Sequence, residues 1–153
     1  KKLNCTQSFR NYFKKKYYVP DIPYKFYKYM QDIASSSMDI SDGLVLDLER
    51  MMNKQNLNYH INLNQIPISN KLKQLIDNNK LQKENFISKG DDYQILFTSP
   101  FDKIKKIKTI AKRIKIKITA IGRITKGTNL ILNSKNKNLL KSMKNKGYLH
   151  RFT

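Results

Sequence analysis

Two short acidic stretches carry the residue types best suited to chemistry. The first is Asp39-Ile40-Ser41-Asp42-Gly43, inside "SSSMDISDGLVLDL". The second is Gly90-Asp91-Asp92-Tyr93. If "SSMDIS" is a strand, alternation puts Asp39 and Ser41 on one side. Asp42 and Gly43 then fall at a strand-to-helix turn, where Gly43 lets backbone approach a ligand closely. A helix starting there offers free N–H groups and a positive dipole end to phosphate oxygens. Carboxylates beside a bare anion are out of place. They suit Mg²⁺ travelling with phosphates, since Mg²⁺ takes one or two carboxylates together with phosphate oxygens and water. The plainer alternative is that Ser41 or Asp42 caps the helix and Asp39 ends a strand in solvent. In the second stretch, acids after glycine mark a polar turn, but here they precede the apolar run "YQILF", which places one acid at a strand mouth. Near the end of the chain Tyr148 and His150 form a third feature. On their own they read as anchors that dock the terminus.

The elements that must position these residues follow from periodicity. "PYKFYKYMQDIA" reads as a helix with Pro23 in its first turn and a packing stripe of Tyr24, Tyr27 and Met30, flanked by Phe26 and Ile33. "GLVLDLERMMNKQ" reads as a helix with Leu44, Leu48, Met51 and Met52 on one face. "LNYHINL" alternates as a strand. Ser69 is the expected N-cap of "NKLKQLIDNN". "QILFT" is a strand stopped by Pro100. "FDKIKKIKTIAKRI" is a basic amphipathic helix whose stripe of Ile104, Ile107, Ile110, Ala111 and Ile114 suits packing on a sheet better than lying on a membrane. "IKITAIGRIT" reads as a strand, and Gly127 turns into "TNLILN". Residues 1–20, with "YFKKKYY", read as a linker or strand entering the domain, with lysine stems covering apolar surface. The order of elements is mixed, giving an α+β or layered α/β class.

Composition narrows the function classes. The 153 residues carry 31 basic and 11 acidic side chains, for a formal charge of +20. Such a chain can attract nucleic acid, anionic membrane or phosphorylated ligands. However, 26 of the basic residues are Lys and only 5 are Arg, whereas readers of nucleic acid lean on arginine forks. Lys, Asn and Ile share AT-rich codons, so the excess reads as genome bias on a solvated surface. No run reaches the roughly 18 apolar residues that span a bilayer. The single Cys5 excludes an internal disulfide and a multi-cysteine zinc site. A soluble, cytoplasmic protein is expected, and an opening at Lys1-Lys2 rather than Met suggests a piece of a longer polypeptide.

With these motifs in hand, a family resemblance appears. "MDISDGLVLDL", "INLNQIPIS", "ISKGDDYQILFT", "ITAIGRITKG" and "GYLH" occur in the order found in the second half of the bacterial thiamine-monophosphate kinase family, part of the aminoimidazole-ribonucleotide synthetase-like superfamily. The resemblance implies a three-layer α/β/α arrangement with a mixed sheet. It implies an entry segment and first helix over 1–33, a substrate- and ATP-binding domain over 34–153, and an amino-terminal ATP- and Mg²⁺-binding half that these residues do not include. The implied activity is transfer of the γ-phosphoryl of ATP to thiamine monophosphate, with Mg²⁺, in a protein that is a homodimer when full length. The implied roles are metal binding for Asp39 and Asp42, ATP contact for Ser41, and substrate contact for Asp91 and Tyr148. Three departures stand out. Lys89 replaces the first glycine of the family's Gly-Gly-Glu-Asp-Tyr, Asp91 stands where that motif has Glu, and Arg151 separates His150 from Phe152. The competing readings are another ATP-dependent member of the superfamily, a basic nucleic-acid-binding module, and an inert piece that only docks onto its missing half.

Overall fold

The structure is a computed structural model that describes residues 5–52 and 55–133. Tyr148, His150 and Arg151 lie outside the described residues. Among the described residues six helices and five strands follow in the order α1 (Gln7–Tyr18), α2 (Met30–Ile33), β1 (Ser36–Asp39), α3 (Leu44–Met52), β2 (Leu57–Asn62), α4 (Asn70–Asn79), α5 (Glu84–Ile87), β3 (Ile95–Thr98), α6 (Ile104–Ile114), β4 (Gly122–Lys126) and β5 (Leu130–Asn133). Short 3₁₀ turns lie at Tyr24–Tyr29, Leu63–Gln65 and Phe101–Lys103. No helix among the described residues is long and apolar enough to cross a membrane.

Two sheets organise the described residues. β1 and β3 form an antiparallel ribbon, with Met38 opposite Leu96 and Asp39 opposite Ile95. The mixed sheet has β2 in the middle, antiparallel to β4 and parallel to β5. β4 and β5 are neighbours in sequence yet lie on opposite sides of β2. The chain crosses at Gly127, and Asn58 holds the crossing by donating to the Lys126 carbonyl (2.8 Å) and accepting from the Asn129 N–H (2.8 Å).

The larger core gathers Leu44, Val45, Leu48 and Met51 of α3 with Tyr59 and Ile61 of β2, Ile87, Leu96 and Leu132. Thus the apolar stripe read on α3 faces the mixed sheet. A second core joins Phe26, Ile33 and Ile110, with Ile95 and Phe97 of β3 packed against it. The Phe26 and Phe97 rings are 5.5 Å apart. Ile107, Ile110 and Ile114 of α6 therefore pack inward, against α2 and the ribbon, as the stripe predicts, whereas Ile104, at the start of the helix, stays exposed. Ser69 caps α4 as expected, accepting from the Leu72 N–H at 3.1 Å.

Three expectations are corrected. Residues 7–18 are helical, with Thr6 as N-cap, rather than linker or strand. This helix buries no residue and leaves Tyr17 and Tyr18 exposed, and its Phe9 ring takes Lys71 Nζ of α4 4.9 Å from its centre. The helix read over 23–34 is mostly 3₁₀. Three residues per turn put Tyr24 and Tyr27 on one line, and that line faces solvent (67% and 70% exposed) while Phe26 goes inward. The long strand read in "IKITAIGRIT" shrinks to Gly122–Lys126. Ile116 and Ile118 alternate inward because they pack on the second core, a periodicity that needs no hydrogen-bonded neighbour.

Candidate functional site

The ribbon brings the two acidic stretches together. Beyond Asp39, its pairing continues as Ile40 donates to the Gln94 carbonyl (2.9 Å) and Tyr93 donates to the Ile40 carbonyl (2.9 Å). Asp91 then donates its N–H to the Ser41 carbonyl at 2.9 Å. Residues fifty apart in sequence are thereby fastened backbone to backbone. Glycine makes this approach possible. A Cβ on Gly43, which sits at φ +117°, would lie 2.5 Å from the Ser88 carbonyl oxygen, and a Cβ on Gly90 would lie 2.0 Å from that of Ser41. α5 delivers the second loop. Lys83, at its start, donates to the carbonyls of Leu63 (3.0 Å), Asn64 (3.3 Å) and Ile66, and burial lowers its pKa.

The predicted residues fall as follows. Asp39 ends β1 on its exposed face and pairs with no cation among the described residues. Ser41 sits in the turn, and its hydroxyl has no hydrogen-bond partner among the described residues. Asp42 is held by Arg50 in an ion pair. Hydrogen bonding to Asp42 raises the Arg50 pKa against the opposing cost of desolvation, and the charges of Asp42 and Asp47 add to the rise. Asp91 adopts φ +66° and accepts from the Tyr93 hydroxyl at 3.3 Å. The Asp91 charge, and then that hydrogen bond, raise the Tyr93 pKa. Lys89 is absent from the positive-φ residues, so a side chain is tolerated where the family carries glycine.

Two residues essential to the geometry went unread in the sequence. Asp47 is completely buried. Its Oδ2 accepts from the N–H groups of Ser41 (3.1 Å), Asp42 (3.2 Å) and Gly43 (3.2 Å). In place of the alternative reading, a cap by Ser41 or Asp42, the turn is capped by a carboxylate from within α3, and its backbone donors already face an anion. Arg50 Nη1 lies 3.2 Å from Asp47 Oδ1 and also binds Asp42. The signal was present, because Asp47 stands three residues after Leu44 and four before Met51, on the apolar face itself.

As for metal, no three His, Cys, Asp or Glu side chains converge to hold an ion among the described residues. Asp39 and Asp42 offer two carboxylates on either side of Ser41, a donor set that fits an ion completed by phosphate and water rather than a closed protein cage.

Burial, then the charge of Asp91, pushes Asp92 up from its ordinary 3.8 to about 6. A carboxyl whose pKa is higher folded than unfolded costs stability once ionised. That cost is absent below about pH 4, grows as the pH rises, and is full above about 6. Asp92→Asn should therefore stabilise the fold by about 1 kcal/mol at pH 8, a figure reduced for the solvent reaching this side chain. Below pH 4 it should change nothing. Thermal midpoints of both chains at the two pH values check this.

Comparison with known proteins agrees with this architecture. Residues 18–135 match the family model of the AIR synthase related protein, C-terminal domain. A thiamine-monophosphate kinase of Buchnera aphidicola subsp. Acyrthosiphon pisum is 38% identical over 133 residues, covering 82% of this chain and 40% of that protein. The crystal structure of thiamine-monophosphate kinase from Stenotrophomonas maltophilia superimposes with a TM-score of 0.74 at 24% identity, over 85% of this chain and 41% of that one. AaThiL complexed with AMPPCP and TMP superimposes with a TM-score of 0.70 at 26% identity, over 84% and 40%. The chain thus spans about two fifths of the length of the relatives it matches. With a matched model over most of its length and the fold to go with it, the chain belongs to the family of AIR synthase related proteins, whose C-terminal domain it carries.

Proposed function

We propose that the chain is the carboxy-terminal part of a cytoplasmic, homodimeric thiamine-monophosphate kinase, with 34–153 as its substrate- and ATP-binding domain. The observation that carries this reading is the 2.9 Å bond from the Asp91 N–H to the Ser41 carbonyl. It brings the two acidic motifs side by side, which supports reading them as one site, and the related AaThiL is complexed with AMPPCP and TMP. In the proposed reaction an acceptor phosphate oxygen attacks the γ-phosphorus of ATP while the bond to the bridging oxygen breaks and ADP leaves. A phosphate monoester has a second pKa of about 6 and is largely a dianion at neutral pH, so it needs no general base. Accordingly, neither His60, hydrogen-bonded to Thr125 at 2.9 Å in the mixed sheet, nor Cys5 belongs to the acidic loops.

The residual problem is to bring two polyanions together, which is chiefly positioning and charge neutralisation. Mg²⁺ supplies the neutralising charge. Asp39 and Asp42 hold it, the Ser41 hydroxyl meets nucleotide oxygens, and Asp91 contacts the substrate. Tyr148 covers the cationic thiazolium, a contact worth roughly 0.5–2 kcal/mol. The test is steady-state kinase activity of the intact polypeptide. Asp39→Asn and Asp42→Asn should each lower kcat by about a hundredfold or more and shift the Mg²⁺ dependence, while Tyr148→Ala should raise KM for thiamine monophosphate. An unaltered Mg²⁺ titration in Asp42→Asn would remove the metal role from that residue.

A further inference from the structure

Asp42 and Asp47 are two carboxylates bridged by one guanidinium, and the two ends of that bridge differ. Asp47 is wholly buried and pinned through Oδ2 by three backbone N–H groups, so it cannot leave. Asp42 lies in the turn with its side chain 14% exposed, and Arg50 is 45% exposed with further N–H donors able to turn to water. Asp39, across Ser41, has no such cation among the described residues. Arg50 therefore neutralises the acidic turn while tethered to a group that stays in place.

We propose that Arg50 is a resident counter-ion for Asp42, exchanged for a divalent cation when the site is loaded, and that Asp47 is the positioning residue that retains Arg50 during the exchange. This rests on the metal role proposed above for Asp42. Before loading, the guanidinium keeps Asp42 from being repelled by Asp47 and fixes the turn in its working shape. On loading, Asp42 turns to the cation, and Arg50 keeps its bond to Asp47 Oδ1, close enough to return.

The test is Mn²⁺ binding to the intact polypeptide with ATP present, read as free Mn²⁺ by electron paramagnetic resonance. Four forms are compared: the parent, R50Q, D47N and R50Q/D47N. Asparagine at 47 keeps an oxygen for the three N–H groups but loses its attraction for Arg50. R50Q should bind Mn²⁺ about fivefold more tightly or better, because a competing charge a few ångströms away is gone. D47N should bind more weakly, because an untethered Arg50 stays on Asp42. In the R50Q background D47N should have little further effect. Simple field effects of two charges would instead add across the cycle. If D47N does not fold, R50K replaces it. A lysine keeps the charge but not the fork, so its affinity should fall between parent and R50Q. A gain in R50Q is not what loss of a merely structural contact produces. Binding no tighter in R50Q than in the parent, or additive effects across the cycle, overturns the exchange while leaving the metal role intact. No Mn²⁺ binding by any form overturns both.

Discussion

Gly90→Ala should lower the thermal midpoint by roughly 5–10 °C and separate the two acidic loops. The added methyl would lie 2.0 Å from the Ser41 carbonyl oxygen, 2.9 Å from its carbon and 3.0 Å from the Asp42 Cα. All three atoms are backbone, so no rotamer change relieves the contact. Overpacking of this kind costs about 1–3 kcal/mol and sometimes more, and for a domain of this size each kcal/mol is worth about 2–4 °C. Gly90 is not among the positive-φ residues, so the cost is steric rather than conformational. Gly43→Ala should behave alike for a mixed reason, since it meets the Ser88 carbonyl oxygen at 2.5 Å and must also hold φ +117°. Differential scanning calorimetry supplies the midpoint. The amide signal of Asp91, which donates to Ser41 at 2.9 Å, reports the separation. A Gly90→Ala protein with an unshifted midpoint and an unmoved Asp91 amide would contradict the described join.

Asp47→Ala should be costly in a different way. It removes the one acceptor shared by the N–H groups of Ser41, Asp42 and Gly43 and opens a hole in the larger core. Buried donors left unpaired cost about 1–3 kcal/mol, and because the three donors share one oxygen the total is expected near 3 kcal/mol rather than three times that. Urea unfolding should show a lower midpoint at an unchanged slope. Asp47→Asn, which keeps an acceptor, should recover much of the loss. Equal losses in the two variants would mean that Asp47 contributes its charge and not its oxygen.

These positions show what a linear reading can and cannot see. α3 and α6 were legible because their apolar residues recur at helical spacing, and α4 through its Ser69 cap because capping is local. Tyr24 and Tyr27 misled because spacings of three suit a packed α-helical face and an exposed 3₁₀ line equally well. In the site, Asp39, Ser41, Asp42 and Asp91 were singled out from motif chemistry and family resemblance, but nothing local placed Ser41 on Asp91. That contact exists only after β1 has found β3. Asp47 was passed over since an acid amid leucines reads as a break in the stripe. Its purpose becomes visible only when three amides converge on it.

The ribbon has one more consequence. Leu96 faces one core while its neighbours Ile95 and Phe97 face the other. Sliding β3 by a single residue would turn each of these side chains toward the wrong interior, so greasy packing on both sides acts as a ratchet on strand alignment. The spacing between Asp39 and Asp91 is thus metered by hydrocarbon rather than by any charge, and its tolerance is the width of one misplaced leucine.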